Sequence, residues 1–471
     1  MSESTTELEE LVQTAPPGRP AGAGFAGKVS AIFVTRVVIL VLTMLTSLVI
    51  TRLLVTTEER GAYVAVVTLP GMLAAIAMLG LPGAVNYYAG RGSSVDSLIR
   101  ASLVFTVTVS AVLVALIWFS LPFLEQSVLQ AAPDHLARWI LIVIPASMLT
   151  SFGGTLLYGR QEVKVYNAIL LAQSIGLLVG AVVLVGLLGL SVDGAVANSI
   201  GVSLLTVLAI SAELLRLRAR DRRGESASIR GLVGYGVRLY PASVSGYFNY
   251  RADNYIIQAM APTSDAAKSN LGLYSWAVTM AEVVFLVPES VAAMFLPRVA
   301  GSSHEEASAM LARVSRITLL TSSVVAAALI PAAFVGVYLI LPGYVACLPA
   351  FLAILPGVMA LCLSKVTTSY IGGRGRPGPA SIGATIALAV NVPLNFALIP
   401  IFGIVGASLS SVASYSVLAA LMVWYASRIS GQPLRALCVP RREDVALMAG
   451  GLKKLVAGSW KAVRRATGAA G

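Results

Sequence analysis

The stretch GAYVAVVTL, residues 61–69, returns 211 positions later as GLYSWAVTM, residues 272–280, with Gly, Tyr, Val and Thr kept in place. Two further matches fall at almost the same spacing. YGRQ at 158–161 aligns with GGRG at 372–375, an offset of 214, and GLSVDGA at 189–195 resembles GIVGA at 403–407, setting Gly194 against Gly406 at an offset of 212. Each match alone is weak, but three at nearly one offset, at equivalent points of a long chain, read as an internal duplication of about half its length.

The duplicated unit is made of apolar runs. Of 471 residues 57% are hydrophobic and 12% charged, with a mean hydropathy of +0.83, whereas a soluble protein is about a quarter charged. Runs long enough to cross a bilayer, about 20 residues each, lie near 30–55, 62–89, 98–122, 136–158, 165–190, 193–215, 232–260, 271–297, 313–341, 345–373, 378–401 and 404–428. The expected fold is therefore all-α and polytopic, with 12 transmembrane helices. Lys and Arg accumulate on the cytoplasmic side of such chains. Here 26 of 34 fall on one side, Arg60, Arg138 and Lys268 on the other and five within spans, so both termini are expected in the cytoplasm.

The net charge of +12 is thus mainly a topology signal. The basic run RLRARDRRGESASIR, 216–230, suits anionic headgroups rather than nucleic acid. Cys347, Cys362 and Cys438 match no metal-ligand spacing, and two histidines, His135 and His304, leave little for metal or His-based chemistry. No cofactor is expected. G-x-S-x-G, H-E-x-x-H and GxxxxGK[ST] do not occur, which argues against a hydrolase or an ATPase. The chain lacks the basic start and short apolar core of a cleaved signal.

The duplication lays spans 1–6 over spans 7–12. Six is even, so the two halves share one orientation, with their symmetry axis along the membrane normal. Two such bundles leave a central cleft able to open to either side. The expected organisation is a disordered tail over 1–29, a six-helix bundle over 30–215, a basic linker over 216–231, a second bundle over 232–430 and a tail over 431–471. In that last tail Met448, Leu452, Leu455, Val456, Trp460 and Val463 share one arc of a helix and Lys453, Lys454, Lys461, Arg464 and Arg465 the other, the pattern of a helix lying on an anionic surface.

Polar residues inside spans are costly and mark function. FNYRADNYII, 248–257, carries Asn249, Arg251, Asp253 and Asn254 within the seventh span. Residues two apart on a helix differ by about 200°, so Arg251 and Asp253 are not a mutual pair. Asp253 groups with Arg238, Ser245 and Asn249, and Arg251 with Tyr240, Tyr247 and Gln258. A seventh helix ending near Asn249, with both charges among headgroups, is the alternative. Arg36, Thr43, Ser47 and Thr51 form a stripe in the first span, and Ser275, Thr279, Glu282 and Glu289 a face in the eighth, which Pro288 should kink. Lys365 sits with Thr368 and Ser369, and Asn391 with Asn395. Lys365 is a candidate partner for Glu282. Five cations against three anions make a cationic cleft suited to an anionic cargo, because arginine offers forked donors to phosphate oxygens. The candidate cargo-binding residues are Arg36, Arg238, Arg251, Lys365, Asn249 and Asn86, and the candidate ion-coupling residues are Asp253, Glu282 and Glu289.

The passage TRLLVTTEERGAYVAVVTLPGMLAAIAMLGLPGAVNYYAG, 51–90, the stretch YRADNYIIQ, and GLYSWAVTMAEVVFLVPESVAAMFLPRVAG, 272–301, resemble the polysaccharide transporter family of the multidrug/oligosaccharidyl-lipid/polysaccharide exporter superfamily, which includes O-antigen flippases. The likeness runs from about 28 to 430 and includes the Gly-x-Tyr start of the eighth helix, Pro297 near its exit and the Arg-x-Asp step at Arg251 and Asp253. It implies a V-shaped, MATE-like bundle working by alternating access in a bacterial plasma membrane. It also implies an undecaprenyl-diphosphate-linked oligosaccharide as cargo, flipped from inner to outer leaflet for surface polysaccharide synthesis. An H+ or Na+ gradient would drive it, with glycan polymerase or glycosyltransferases as partners. Peptidoglycan-precursor flippases concentrate arginines in helices 1, 2 and 8, which only Arg36 and Arg52 partly echo. A cation-coupled multidrug exporter of the same superfamily is the second reading, which would present an acidic site to cationic drugs. A membrane glycan polymerase is a third, set back by the absence of a long external loop.

Overall fold

The computed structural model describes residues 23–54, 56–90, 92–127, 129–220, 225–376 and 378–446. Among these the chain is helical throughout: α1 (Ala23–Leu53), α2 (Thr57–Ala77), α3 (Leu81–Gly90), α4 (Val95–Ser127), α5 (Asp134–Trp139), α6 (Val143–Gly159), α7 (Val163–Gly180) and α8 (Ser191–Arg220). Then come α9 (Ile229–Ala259), α10 (Ser264–Glu282), α11 (Leu286–Ala300), α12 (His304–Ile340), α13 (Leu348–Gly373), α14 (Gly378–Phe402), α15 (Ile404–Ser430) and the short α16 (Leu434–Cys438).

All twelve apolar runs are helical, and among the described residues eight helical stretches are long and apolar enough to cross a membrane unaided. The other four runs have local causes. Only Val41–Leu53 of α1 stands as an apolar segment, and it is short. Gly, Tyr, Ser and Asn dilute α9. The α5–α6 and α10–α11 runs are broken by 3-10 turns at Ile140–Ile142 and Val283–Phe285. The second break precedes Pro288, whose missing N–H and ring disrupt the helix one turn back. The outer surface is apolar: Phe119 is 84% exposed, Leu339 78% and Leu187 76%. A surface that shows its largest apolar side chains to the surroundings is built for lipid, not water. The chain is an all-α, multi-pass membrane protein.

Several boundaries differ from those expected. α1 begins at Ala23, inside the stretch read as tail. The run 62–89 is two helices, because Leu79 and Gly80 adopt φ of 46° and 70°. A Cβ on Gly80 would stand 2.1 Å from the Gly236 carbonyl oxygen of α9, so the bend lets two backbones touch. α2 starts at Thr57, capped by a reciprocal pair of bonds between Thr56 and Glu59. α9 continues to Ala259, which rules out an end near Asn249. α12 begins at His304, nine residues before the expected span, behind a second capping box of Ser303 and Glu306. The amphipathic stretch 448–465 lies outside the described residues.

The two matching sequence stretches meet face to face. A Cβ on Gly61 would lie 1.8 Å from the Lys268 carbonyl oxygen, and one on Gly272 2.0 Å from the Thr57 carbonyl oxygen. The relation is reciprocal, since both pairs of positions are 211 apart. Thr57 Oγ1 and Ser269 Oγ are 3.0 Å apart beside them. Only glycine permits so close a crossing of α2 and α10. At the same end, Ala131 N–H donates to Gln258 Oε1 at 3.4 Å and Ser264 Oγ donates to the Gln130 carbonyl at 2.6 Å, tying the α4–α5 loop to the end of α9 and the start of α10. At the opposite end Tyr87 of α3 stacks on Tyr235 of α9, centroids 4.6 Å apart.

Candidate functional site

The polar run of α9 divides between two surroundings, as the 200° separation requires. Asp253, 2% exposed, accepts hydrogen bonds from Tyr274 Oη of α10 at 2.6 Å, Ser411 Oγ of α15 at 2.6 Å and Asn395 Nδ2 of α14 at 2.8 Å. Asn395 Nδ2 also reaches Asn391 Oδ1 at 3.0 Å, and Asn391 Nδ2 donates to Ser414 Oγ at 3.3 Å. The i, i+4 spacing that paired Asn391 with Asn395 on one face therefore delivers both to the same carboxylate. Asn395 Oδ1 and, nearby in sequence to Asp253, Asn249 Oδ1 are buried without a partner among the described residues. Four helices thus bring together carboxylate, amide and hydroxyl oxygens, a donor set suited to a proton or a small hard cation.

Arg251 faces away from this centre. Its Nη2 lies 3.4 Å from Glu282 Oε1, the two side chains 36% and 35% exposed. Lys365 Nζ is 2.8 Å from Glu289 Oε1 rather than from Glu282, with Glu289 52% exposed. The ammonium also sits 4.7 Å from the centre of the Phe285 ring. The expected Lys365–Glu282 pairing is thus replaced by two separate pairs, and Arg251 and Lys365, two of the cations read as a free cationic lining, each hold a carboxylate. Glu282 ends α10, halfway along Ser264–Ala300. Charges this exposed would be penalised heavily by hydrocarbon.

One charged residue assigned to an external loop is buried. Arg60, 3% exposed, lies in the first turns of α2. Nε donates to Ser275 Oγ at 3.2 Å, Nη2 to Ser47 Oγ at 3.4 Å, and Nη1 to Thr51 Oγ1. The guanidinium lies over Trp276, 5.1 Å from the ring centre. No carboxylate pairs with it among the described residues, so neutral oxygens on α1 and α10 share the desolvated charge. The Ser47–Thr51 stripe of the first span and Ser275 of the eighth span meet at this one side chain. The overlooked signal was the capping motif Thr56-x-x-Glu59, which places Arg60 inside the helix.

The remaining expected residues are dispersed. Asn86 is exposed on α3, its carbonyl against Gly159, and joins neither cluster. The side chains of Arg36 and Arg238 lie outside the described part of the structure. A largely apolar cavity of about 320 Å³ opens between α2, α4, α9 and α14, lined by Met72, Leu124, Tyr255 and Phe396 among others.

No family model matches the sequence, and no curated protein matches it. Solved structures do. An inward-facing conformation of a multidrug resistance MATE family transporter of the MOP superfamily superposes with a TM-score of 0.62 and 16% identity, over 85% of this chain and 98% of that one. An outward-facing conformation of such a transporter gives 0.59 and 14%, over 85% and 96%. The lipid II flippase MurJ in an inward closed conformation gives 0.65 and 13%, over 86% and 90%. At these identities the likeness concerns the fold. The chain is a multi-pass membrane protein with a MATE-like fold.

Proposed function

We propose that the chain is a transporter rather than an enzyme, and that it moves a lipid-linked oligosaccharide, of the undecaprenyl-diphosphate type, from the inner to the outer leaflet of a bacterial plasma membrane. In this reading twelve helices cross the bilayer as two six-helix bundles, over 30–215 and 232–430, with both termini cytoplasmic. The α2–α10 crossing is then the outer gate, closed in this conformation, and alternating access consists of opening it while the α3–α9 end closes further. The apolar cavity between α2, α4, α9 and α14 suits a polyprenyl tail beside the cleft.

The observation that carries the choice of cargo is the pairing of Arg251 with Glu282 and of Lys365 with Glu289. Glu282 and Glu289, which in this reading face the cleft, each already have a cation of the chain itself, which leaves no open carboxylate there for a cationic drug among the described residues. A diphosphate can compete with Glu282 and Glu289 for the same donors, since guanidinium and ammonium bind phosphate oxygens at least as well. The Asp253 centre is separate and has no cation of its own among the described residues, so in this reading it is the coupling site, binding H+ or Na+ when one gate is open. Glycan polymerase and glycosyltransferases are the expected partners.

The test is outer-leaflet labelling of lipid-linked glycan in cells depleted of the protein, in a background without a second flippase. Loss of label supports the reading, and unchanged label overturns it. The likeness to multidrug transporters favours a second reading, cationic drug export. Drug resistance conferred by the chain, with lipid-linked glycan unaffected, would establish that instead.

A further inference from the structure

The two halves differ in one corner that transport through the cleft does not require. At the α8–α9 end, a cavity of about 350 Å³ is lined by His304, Arg374, Arg376, Arg428 and Ile429. These come from the start of α12, the turn after α13 and the last turns of α15. The turn is rigidly built. Gly375 adopts φ of 74°, its N–H donates to Gly372 O at 3.0 Å and the Arg376 N–H to Ile371 O at 3.2 Å. This is a helix-ending motif in which glycine at the left-handed position fixes the flanking residues, here two arginines. Arg374 Nη1 is further held 3.4 Å from the Ser302 carbonyl oxygen, and Arg428 packs on Trp424, 5.5 Å from the ring centre.

The first half builds the same turn after α6 and sets carboxylates beside it. Gln161, φ 66°, takes the place of Gly375, and Glu162 N–H donates to Leu157 O at 2.9 Å. Arg160 donates to the Ser93 carbonyl as Arg374 does to that of Ser302. The chemistry then diverges. Glu162 stands where the second half has Arg376. Arg216 pairs with Glu213 at 3.3 Å, and Arg218 with Asp96 at 2.7 Å. In the second corner no carboxylate lies within ion-pair distance of Arg374, Arg376 or Arg428 among the described residues. Glu306 is engaged in capping Ser303. A topology signal needs only positive charge on this side. It does not need three arginines converging on one cavity without a carboxylate, while Arg216 and Arg218 of the duplicate corner are paired and Asp96 there also serves Arg100.

We propose that this corner is a binding site for a phosphate-bearing anion, distinct from the transport cleft. Arg376 and Arg428 are its principal donors, Arg374 and the opening turn of α12 its floor. The phosphate can be the headgroup of an anionic lipid of the adjoining leaflet or a soluble phospho-compound. Three planar guanidinium groups on two elements, the turn after α13 and the end of α15, match tetrahedral phosphate oxygens, and the site's place at the membrane boundary suits either source.

The experiment uses the full-length protein in nanodiscs of phosphatidylcholine with or without phosphatidylglycerol. Native mass spectrometry counts retained anionic lipid, and titration with inorganic pyrophosphate in the neutral discs reads the soluble arm. Arg376→Gln and Arg428→Gln should each weaken binding by about tenfold, the scale of one charged hydrogen bond. Arg376→Glu, which copies the first corner, should abolish it. Arg220→Gln removes the same charge at the same end and should change nothing. Loss of retained phosphatidylglycerol alone identifies a lipid site, and loss of pyrophosphate binding alone a soluble one. If neither probe distinguishes Arg376→Gln and Arg428→Gln from Arg220→Gln, the site does not exist.

Discussion

The reciprocal glycine crossing makes the sharpest mechanical prediction. A methyl group at Gly61 would stand 1.8 Å from the Lys268 carbonyl oxygen, and one at Gly272 2.0 Å from that of Thr57. Both obstacles are backbone and cannot rotate away, so α2 and α10 must part by about 1.5 Å to regain contact distance, an overpacking that costs about 1–3 kcal/mol. If the cost falls only on the conformation in which the helices touch, the equilibrium shifts toward the open gate by about 5- to 150-fold. Thr57 Oγ1 and Ser269 Oγ lie 3.0 Å apart at this crossing, so cysteines at 57 and 269 should form a disulfide readily. Cys438 is replaced by serine, while Cys347 and Cys362 are buried. Gly61→Ala and Gly272→Ala should slow cross-linking and raise labelling of the same cysteines by an impermeant maleimide. Gly246→Ala, whose Cβ would meet nothing within 4 Å, is the control. Cross-linking in Gly61→Ala and Gly272→Ala as fast as in Gly246→Ala would refute the reasoning.

Further expectations rest on individual side chains. Arg60→Lys keeps the charge but cannot bridge α1 and α10 together, and should lower the thermal unfolding midpoint through a loss of about 1–3 kcal/mol; an unchanged midpoint would show that the network carries no stability. Arg251→Gln should abolish glycan flipping, and the charge swap Arg251→Glu with Glu282→Arg should be expressed normally yet still not transport. Transport by the swapped protein would reduce the pair to a structural tie. On the α8–α9 side, Arg316 Nε donates to Asp444 Oδ2 at 2.6 Å and Nη1 to the Ala436 carbonyl at 2.8 Å, holding the segment after α15 against α12. The Arg316 hydrogen bonds keep the Asp444 carboxyl below its ordinary value of 3.8. A carboxyl depressed in the folded state contributes stability that is present above its ordinary pKa and lost as pH falls through the lower folded value. Proteolysis after Ser430 should therefore increase only below about pH 4, and Asp444→Asn should remove that dependence.

Much of the architecture was legible because it is written in one dimension. Each of the twelve apolar runs falls in helix, eight helical stretches among the described residues being long and apolar enough to cross a membrane, whereas the match of Gly61 with Gly272 reads as a duplication and gives no hint that the two glycines form one crossing. The angle between Arg251 and Asp253 already required separate surroundings, and the structure supplies them. What the sequence withheld was partner choice. Lys365 reaches Glu289 and not Glu282, and a helical wheel cannot choose between them, because residues seven apart share a face and differ by about 10 Å in height. Arg60 was misplaced for a different reason: Glu58 and Glu59 beside it look like a solvated loop, although acidic residues in a first turn are what a helix N-terminus favours. The Asp253 centre needed Ser411 from α15, 158 residues away, and only packing brings that hydroxyl to the carboxylate.

The central claim is that ion binding at Asp253 drives the movement of a lipid-linked glycan. It is tested most directly in proteoliposomes loaded with a polyprenyl-diphosphate oligosaccharide, by following its appearance in the opposite leaflet under an imposed H+ or Na+ gradient. The native chain should flip the lipid when one of the two gradients is imposed and stop when it is dissipated, and Asp253→Asn should flip at the undriven rate. Flipping indifferent to both gradients, or Asp253→Asn working as fast as the native chain, would contradict it.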